Sequence, residues 1–316
     1  MPKSRLNFLI IVSTLIFLPL LFSRLIVFGS KSGKWFYPYL SQVFFGYHPP
    51  LLKLSITILI LSVIVYYALL KTENIYAWFI IGSIANLILR SLSPFSPGKI
   101  IKSYLANSYY TLSIQHSAFD LLANFQKISA EAFFHLPGNM PGKTLFFHFL
   151  RLFTASPEIM GYLIIFISNL GAILVYYIAF DIIQNKKIAL YSAILYLFFP
   201  SRIIFLPILN TISPLFILLA IFLLLRYFYS KKIFFLLLAG VAIYLQFIFE
   251  PLPLAVGLVI FAFIVNFFTE KKLSLEELVR IIIYPLASFI VLFLLVFITT
   301  NFNTGSAFFA CCARSS

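Results

Sequence analysis

Residues 280–300 read RIIIYPLASFIVLFLLVFITT, and no charge follows Arg280 in that run. An α-helix needs about 20 apolar residues to cross the hydrocarbon core of a bilayer. Runs of the same kind recur upstream and predict further spans over 6–28, 51–71, 75–91, 158–180, 188–206, 209–229, 233–249 and 252–269. The expected fold is therefore an all-α polytopic membrane protein of about nine transmembrane helices, a single domain over 1–316. The weakest span is 188–206, where Pro200, Ser201, Arg202 and Pro207 interrupt the pattern. A short or broken helix is expected there, which a membrane tolerates where the break lines a cavity.

Composition carries the same message. Of the 316 residues, 62% are hydrophobic and 10% charged, with a mean hydropathy of +1.04. Soluble domains carry roughly 25% charged residues, so there is too little polar surface here to cover a water-soluble fold. The net charge of +14 does not point to nucleic acid, because the basic residues sit in short clusters between apolar runs and form no basic aromatic surface. They are placed as cytoplasmic loops facing an anionic leaflet would be. With the N-terminus inside, the cytoplasmic segments carry Lys3, Arg5, Lys71, Lys186, Lys187, Arg226, Lys231, Lys232, Lys271, Lys272 and Arg280. The chain is thus expected in the cell membrane as a multi-pass protein. The first run, 6–28, has no small-residue cleavage site and is expected to stay as a span.

Residues 92–157 break the apolar pattern and are expected to form a long extracytoplasmic loop with short interfacial helices. Long loops are usually functional. This one holds three of the four histidines, His116, His135 and His148, and a Ser93–Gly98 turn. An amphipathic helix is expected near 114–128. A second is expected over 143–153, lying in the interface with Lys143, His148 and Arg151 open to headgroups. The tail 307–316, which carries Cys311 and Cys312, is atypical, and truncation or a shift of frame is expected there.

Only nine residues are acidic. Glu73, Asp181, Glu270, Glu276 and Glu277 fall at cytoplasmic ends beside lysines. Asp120, Glu131, Glu158 and Glu250 fall on the outer side. Asp120 is four residues after His116, so a helix would set both on one face, and a carboxylate there suits a general base. Glu131 suits substrate binding or a plain exposed position. Glu158 suits the start of a span, where an acid favours the helix dipole. The strongest local signal is 135–143, HLPGNMPGK. Two Pro-Gly pairs impose a sharp turn, His135 precedes it, Asn139 lies within it, and Lys143 follows it. Lysine and histidine there can neutralise a phosphate. The histidines are not at metal-ligand spacing, and no metal or cofactor is expected.

The 135–143 turn, the apolar helix after it, and the Ser156-Pro157-Glu158 start of a span resemble the outer loop of GT-C glycosyltransferases. This is the broad group of protein O-mannosyltransferases and lipid A aminoarabinose transferases. Asp181 to Lys187 resembles their short basic turn, and Tyr196 to Ser201 their proline break. The resemblance covers about 100–230. Where many such proteins carry an aspartate before the next long span, this chain has Asn210. The resemblance implies transfer of a sugar from a polyprenyl- or dolichyl-phosphate donor to a hydroxyl of a glycan, lipid or protein at the extracytoplasmic face. Asp120 would be the general base. His116, Glu131, His135, Asn139, Lys143, Arg202 and Asn210 would bind substrate, with Lys143, Arg202 and His135 on the leaving phosphate. Competing classes are a transporter or flippase, and a non-catalytic membrane fragment.

Overall fold

A computed structural model describes residues 60, 63–64, 72–91, 96–103, 106–131, 139–199, 202, 206–250 and 274–308. The expected spans 6–28, 51–71 and 252–269, the residue His135 and the tail beyond 308 lie outside the described residues or are barely touched by them.

The described chain is all-helical. Its helices are α1 (Ile75–Ser91), α2 (Pro97–Ile101), α3 (Asn107–Gln115), α4 (Ala118–Ala123), α5 (Phe125–Glu131), α6 (Gly142–Arg151), α7 (Pro157–Asn169), α8 (Gly171–Ile183), α9 (Lys186–Phe198), α10 (Ser213–Ser230), α11 (Ile233–Phe249) and α12 (Leu275–Thr300), with a 3-10 turn at Leu209–Thr211. Three stretches are long and apolar enough to cross a membrane: Pro157–Ile183, Leu209–Ser230 and Leu275–Thr300. Shorter apolar helices lie at Ile75–Ser91 and Ile233–Phe249.

Local chemistry sets the boundaries. Asn185 caps α9 by accepting from the Lys187 and Ile188 amides. Ser274 and Glu277 form a reciprocal capping box at the start of α12, which satisfies amides that a helix start would otherwise leave bare. The box explains why this helix begins before the expected 280. Gln184, Lys231 and Asn301 end their helices in the left-handed conformation, with φ of 55°, 56° and 57°. Such a residue turns the chain back and uses up the last carbonyls. α9 stops at Phe198, so the expected span 188–206 is a short helix ahead of the proline break.

Contacts at the helix ends give the bundle its alternation. One end gathers the tight turns: Lys187 to Glu73 at 4.0 Å, Arg226 to Asp181 at 3.3 Å and Lys231 to Glu277 at 2.6 Å. The other end gathers residues 96–157, 206–212, Glu250 and 301–308, as in the bonds Gln126 to Ser306 at 2.7 Å and Asn210 to Glu250 at 3.4 Å. Of the acids expected on one side, Glu73, Asp181, Glu276 and Glu277 are at the turn end, and Glu270 lies outside the described residues. Asp120, Glu131, Glu158 and Glu250 are at the other, here called the loop end.

Where helices cross closely, a small residue stands between them. A side chain at Gly240 would run into the Pro285 carbonyl and Ser288 Oγ of α12, so α11 and α12 meet backbone to backbone. The outer face of α12 leaves Ile282, Ile283, Leu286, Val291, Leu295 and Ile298 exposed. Water would not tolerate an apolar strip of that length on a monomer, whereas lipid covers it without cost.

The expected loop 92–157 is largely folded. Its described part is a layer of short helices capping the bundle. Ile101, Leu121, Phe147 and Leu150 are fully buried against Met160, Ile164 and Phe249 of the long helices. Lys143 is not open to headgroups as expected, because it is only 2% exposed. The cause is the apolar face of α6, which docks on α3 and on the end of α11 and draws Lys143 inward. The amphipathic helix expected over 114–128 is also broken, into the end of α3, α4 and α5. Ser117 supplies the break by capping α4 at the Asp120 amide.

Candidate functional site

Lys143 is the centre of the first polar cluster at the loop end. It sits in the first turn of α6, which Gly142 brings against α11. A Cβ at Gly142 would lie 2.5 Å from the Ile248 carbonyl oxygen and 2.6 Å from Phe249 Cα, so no larger residue fits without moving backbone. Lys143 Nζ donates to Asn139 Oδ1 at 3.0 Å and stands 3.6 Å from Glu250 Oε1. The Tyr109 ring covers it at 5.7 Å. Asn210 Nδ2 donates to the same Glu250 oxygen at 3.4 Å. Gln246 holds the backbone of this corner, donating to the Glu250 carbonyl at 2.5 Å and to Ser213 Oγ at 2.9 Å. The Lys143 side chain is 3% exposed and that of Glu250 is 17% exposed. Desolvation makes such a pair costly unless further hydrogen bonds complete it, and Asn139 and Asn210 supply them.

The second cluster is built on Asp120. His116 Nδ1 and Asp120 Oδ2 are 2.6 Å apart, and Asn124 Nδ2 donates to Asp120 Oδ1 at 2.8 Å. The expected proximity of His116 and Asp120 is present, but not along one helix. His116 is the extended residue that ends α3, and Asp120 lies in the first turn of α4. The bonds from His116 and then Asn124 hold the Asp120 carboxyl below its ordinary range. α6 connects this cluster to the first. Its far end carries His148 and Arg151, and Arg151 Nη1 donates to the Ser113 carbonyl at the end of α3. Lys143 and Arg151 are eight positions apart on α6, about 12 Å along the axis. His148 is held below its ordinary 6.5, by burial first and then by the charges of Arg151 and His116.

Arg202 forms a third polar centre, separate in its bonding from the other two. It is 9% exposed, donates to Ser168 Oγ at 2.8 Å and to the Tyr196 carbonyl at 3.4 Å, and lies 4.4 Å over the Tyr196 ring. Behind it, Asn169 Nδ2 donates to Ser83 Oγ at 3.2 Å and Asn86 Nδ2 donates to Asn169 Oδ1 at 3.3 Å. No carboxylate pairs with Arg202 among the described residues.

The structure thus brings Asn139, Lys143 and Asn210 together, pairs His116 with Asp120, and sets Arg202 apart. Glu131 is exposed at the end of α5, joined to neither cluster by any bond among the described residues. Glu158 serves the fold, since its Oε2 accepts from Ser96 Oγ at 2.8 Å and from the Gly98 amide at 2.9 Å. Glu250 is the participant that sequence reasoning left out of the site. Its signal was an acid standing alone between Phe249 and Pro251. Tyr109 and Gln246 carried none, Tyr109 being one of two tyrosines in the polar helix α3 and Gln246 a lone amide in the apolar helix α11. Comparison of the chain with family models, with curated proteins and with solved structures gives no match.

Proposed function

We propose that this chain is a glycosyltransferase that moves a sugar from a polyprenyl- or dolichyl-phosphate donor to an acceptor hydroxyl at the extracytoplasmic face of the membrane. The reading takes the loop end as extracytoplasmic, the N-terminus as cytoplasmic and the full bundle as about nine spans. The observation that carries it is the enclosed Lys143, set at the rim of an apolar bundle and 3.6 Å from Glu250. A cation held there meets the anionic headgroup of a substrate whose tail lies in the bilayer. Arg202 is a second buried cation, without a carboxylate partner among the described residues and in a polar centre of its own. Cations placed at a leaving phosphate stabilise the charge that develops on it. The His116–Asp120 pair at the far end of α6 supplies acid–base chemistry for the acceptor.

The test is donor turnover. The full chain is reconstituted in vesicles with radiolabelled polyprenyl-phosphate sugars, and release of the lipid phosphate is followed, with Asp120→Asn and Lys143→Met as controls. Release that falls in both variants is the expected result. No release from any donor, in protein shown to be folded, overturns the reading.

A transporter or flippase is the second reading. The observation in its favour is the polar network of Ser83, Asn86, Ser168, Asn169 and Arg202, since polar groups inside a membrane bundle commonly mark a path. The same vesicles separate the two: a transporter moves label across the bilayer without releasing lipid phosphate.

A further inference from the structure

We propose that His116, and not Asp120, takes the proton from the acceptor hydroxyl, with Asp120 positioning the imidazole from behind. The proposal rests on the transferase reading and divides the work within its acid–base pair.

The geometry of Asp120 argues against its direct use as a base. Both of its oxygens are engaged, Oδ2 by His116 Nδ1 at 2.6 Å and Oδ1 by Asn124 at 2.8 Å. The same bonds hold its carboxyl below the ordinary range, and a carboxylate so stabilised is a poorer proton acceptor. An ionised carboxylate only accepts hydrogen bonds, so in a neutral His116 the proton sits on Nδ1 and Nε2 is left as an acceptor. Nε2 has no partner among the described residues, and the side chain is 30% exposed.

The backbone presents this ring deliberately outward. His116 has φ −118° and ψ 151° and ends α3, with its amide bonded to the Leu112 carbonyl. It therefore stands at a corner between two helices, fixed on one side by Ser117 capping α4 and on the other by Arg151 on the Ser113 carbonyl. The other titratable group that acts on it from the packed α6 is His148, whose protonation burial disfavours. Exposed Ile114 and Phe119 flank the pair and give the acceptor an apolar rim.

The step balances as follows. The acceptor oxygen forms a bond to the anomeric carbon while its proton passes to His116 Nε2. The bond from that carbon to the phosphate oxygen breaks, and the lipid phosphate leaves with the electron pair. The imidazolium formed is paired with the Asp120 carboxylate, and later gives its proton to solvent at the exposed edge. An aspartate that orients and stabilises an imidazolium in this way never needs to be protonated itself.

The test uses the reconstituted full chain and four proteins: wild type, His116→Gln, His116→Gly with and without added imidazole, and Asp120→Asn. Donor turnover is measured, and carbethoxylation of His116 by diethyl pyrocarbonate is followed by mass spectrometry. The expected result is a loss of roughly 10²–10⁴-fold in kcat for His116→Gln, with KM for the donor nearly unchanged. Imidazole should restore part of the activity of His116→Gly, which a merely structural role would not allow. Asp120→Asn should lose less activity than His116→Gln and should slow labelling of His116. Full kcat in His116→Gln alongside a dead Asp120→Asn overturns the division of roles and makes the carboxylate the base. Absence of turnover in folded wild type overturns the transferase reading itself. In that case, labelling of His116 that ignores the Asp120 substitution overturns the positioning as well.

Discussion

Lys143 Nζ and Glu250 Oε1 are 3.6 Å apart, one from the first turn of α6 and the other from the end of α11, and both side chains are largely enclosed. Removing one partner of an enclosed pair strands the other charge, which costs about 3–5 kcal/mol. Glu250→Gln alone, which strands the more deeply enclosed Lys143, is therefore expected to lower stability by about that amount, and Lys143→Met alone by less, because the Glu250 it strands is the more exposed. The double variant should recover much of the loss. A double-mutant cycle by thermal unfolding in detergent measures it. Additive losses would show that the two charges do not interact.

Gly142 seats this pair. Its missing Cβ would be 2.5 Å from the Ile248 carbonyl oxygen, and backbone atoms cannot turn aside as a side chain can. Gly142→Ala should destabilise by about 1–3 kcal/mol and weaken the Lys143–Glu250 coupling in the same cycle. Gly240→Ala, at the α11–α12 crossing, should destabilise by a similar amount but leave that coupling intact. Equal effects of both glycines on the coupling would show that the site senses the whole bundle and not the local seat.

His148 makes stability depend on pH. Its folded value lies below the ordinary 6.5, with burial the main cause. Below the ordinary value the unfolded chain takes up a proton that the folded chain refuses, so unfolding is favoured as pH falls. The penalty is absent above the ordinary value, grows as pH drops through it, and levels off below the folded value. Unfolding temperatures at about pH 7.5 and about pH 5.5 should differ less in His148→Gln than in wild type. An unchanged pH difference would assign the effect elsewhere.

Leu152 is 80% exposed and Phe153 67% exposed, next to Arg151 and just ahead of the first turn of α7. Apolar side chains beside a basic one at the mouth of a span suit the bilayer interface. A spin label at Leu152→Cys, in a background with Cys311 and Cys312 replaced by serine, should be quenched by lipid-soluble oxygen more than by an aqueous relaxant. The reverse order would place this corner in water.

Glu158 illustrates how a correct local reading falls short. Its place after Pro157 suggested an acid at a helix start, and it is one. Its bonds, however, run to Ser96 and Gly98, so it also ties α2 to α7. Position along the chain carried the first fact, and only packing carried the second. Asp120 and His116 were legible as a pair because four residues is a short reach. The break at Ser117 that turns the pair outward was not, since a serine reads equally well inside a helix and at its cap.

What the sequence alone determined is the all-helical character and the apolar runs at 75–91, 158–180, 209–229, 233–249 and 280–300, each of which the structure folds as helix, three of them long and apolar enough to cross a membrane. These follow from runs of apolar side chains, a local property that needs no partner. The folding of 96–157 into a layer over the bundle and the burial of Lys143 were decided by the tertiary structure, as were the entry of Glu250 into its shell and the separation of Arg202. Each depends on which helix ends meet, and a charged residue is enclosed only when a distant one arrives to pair with it.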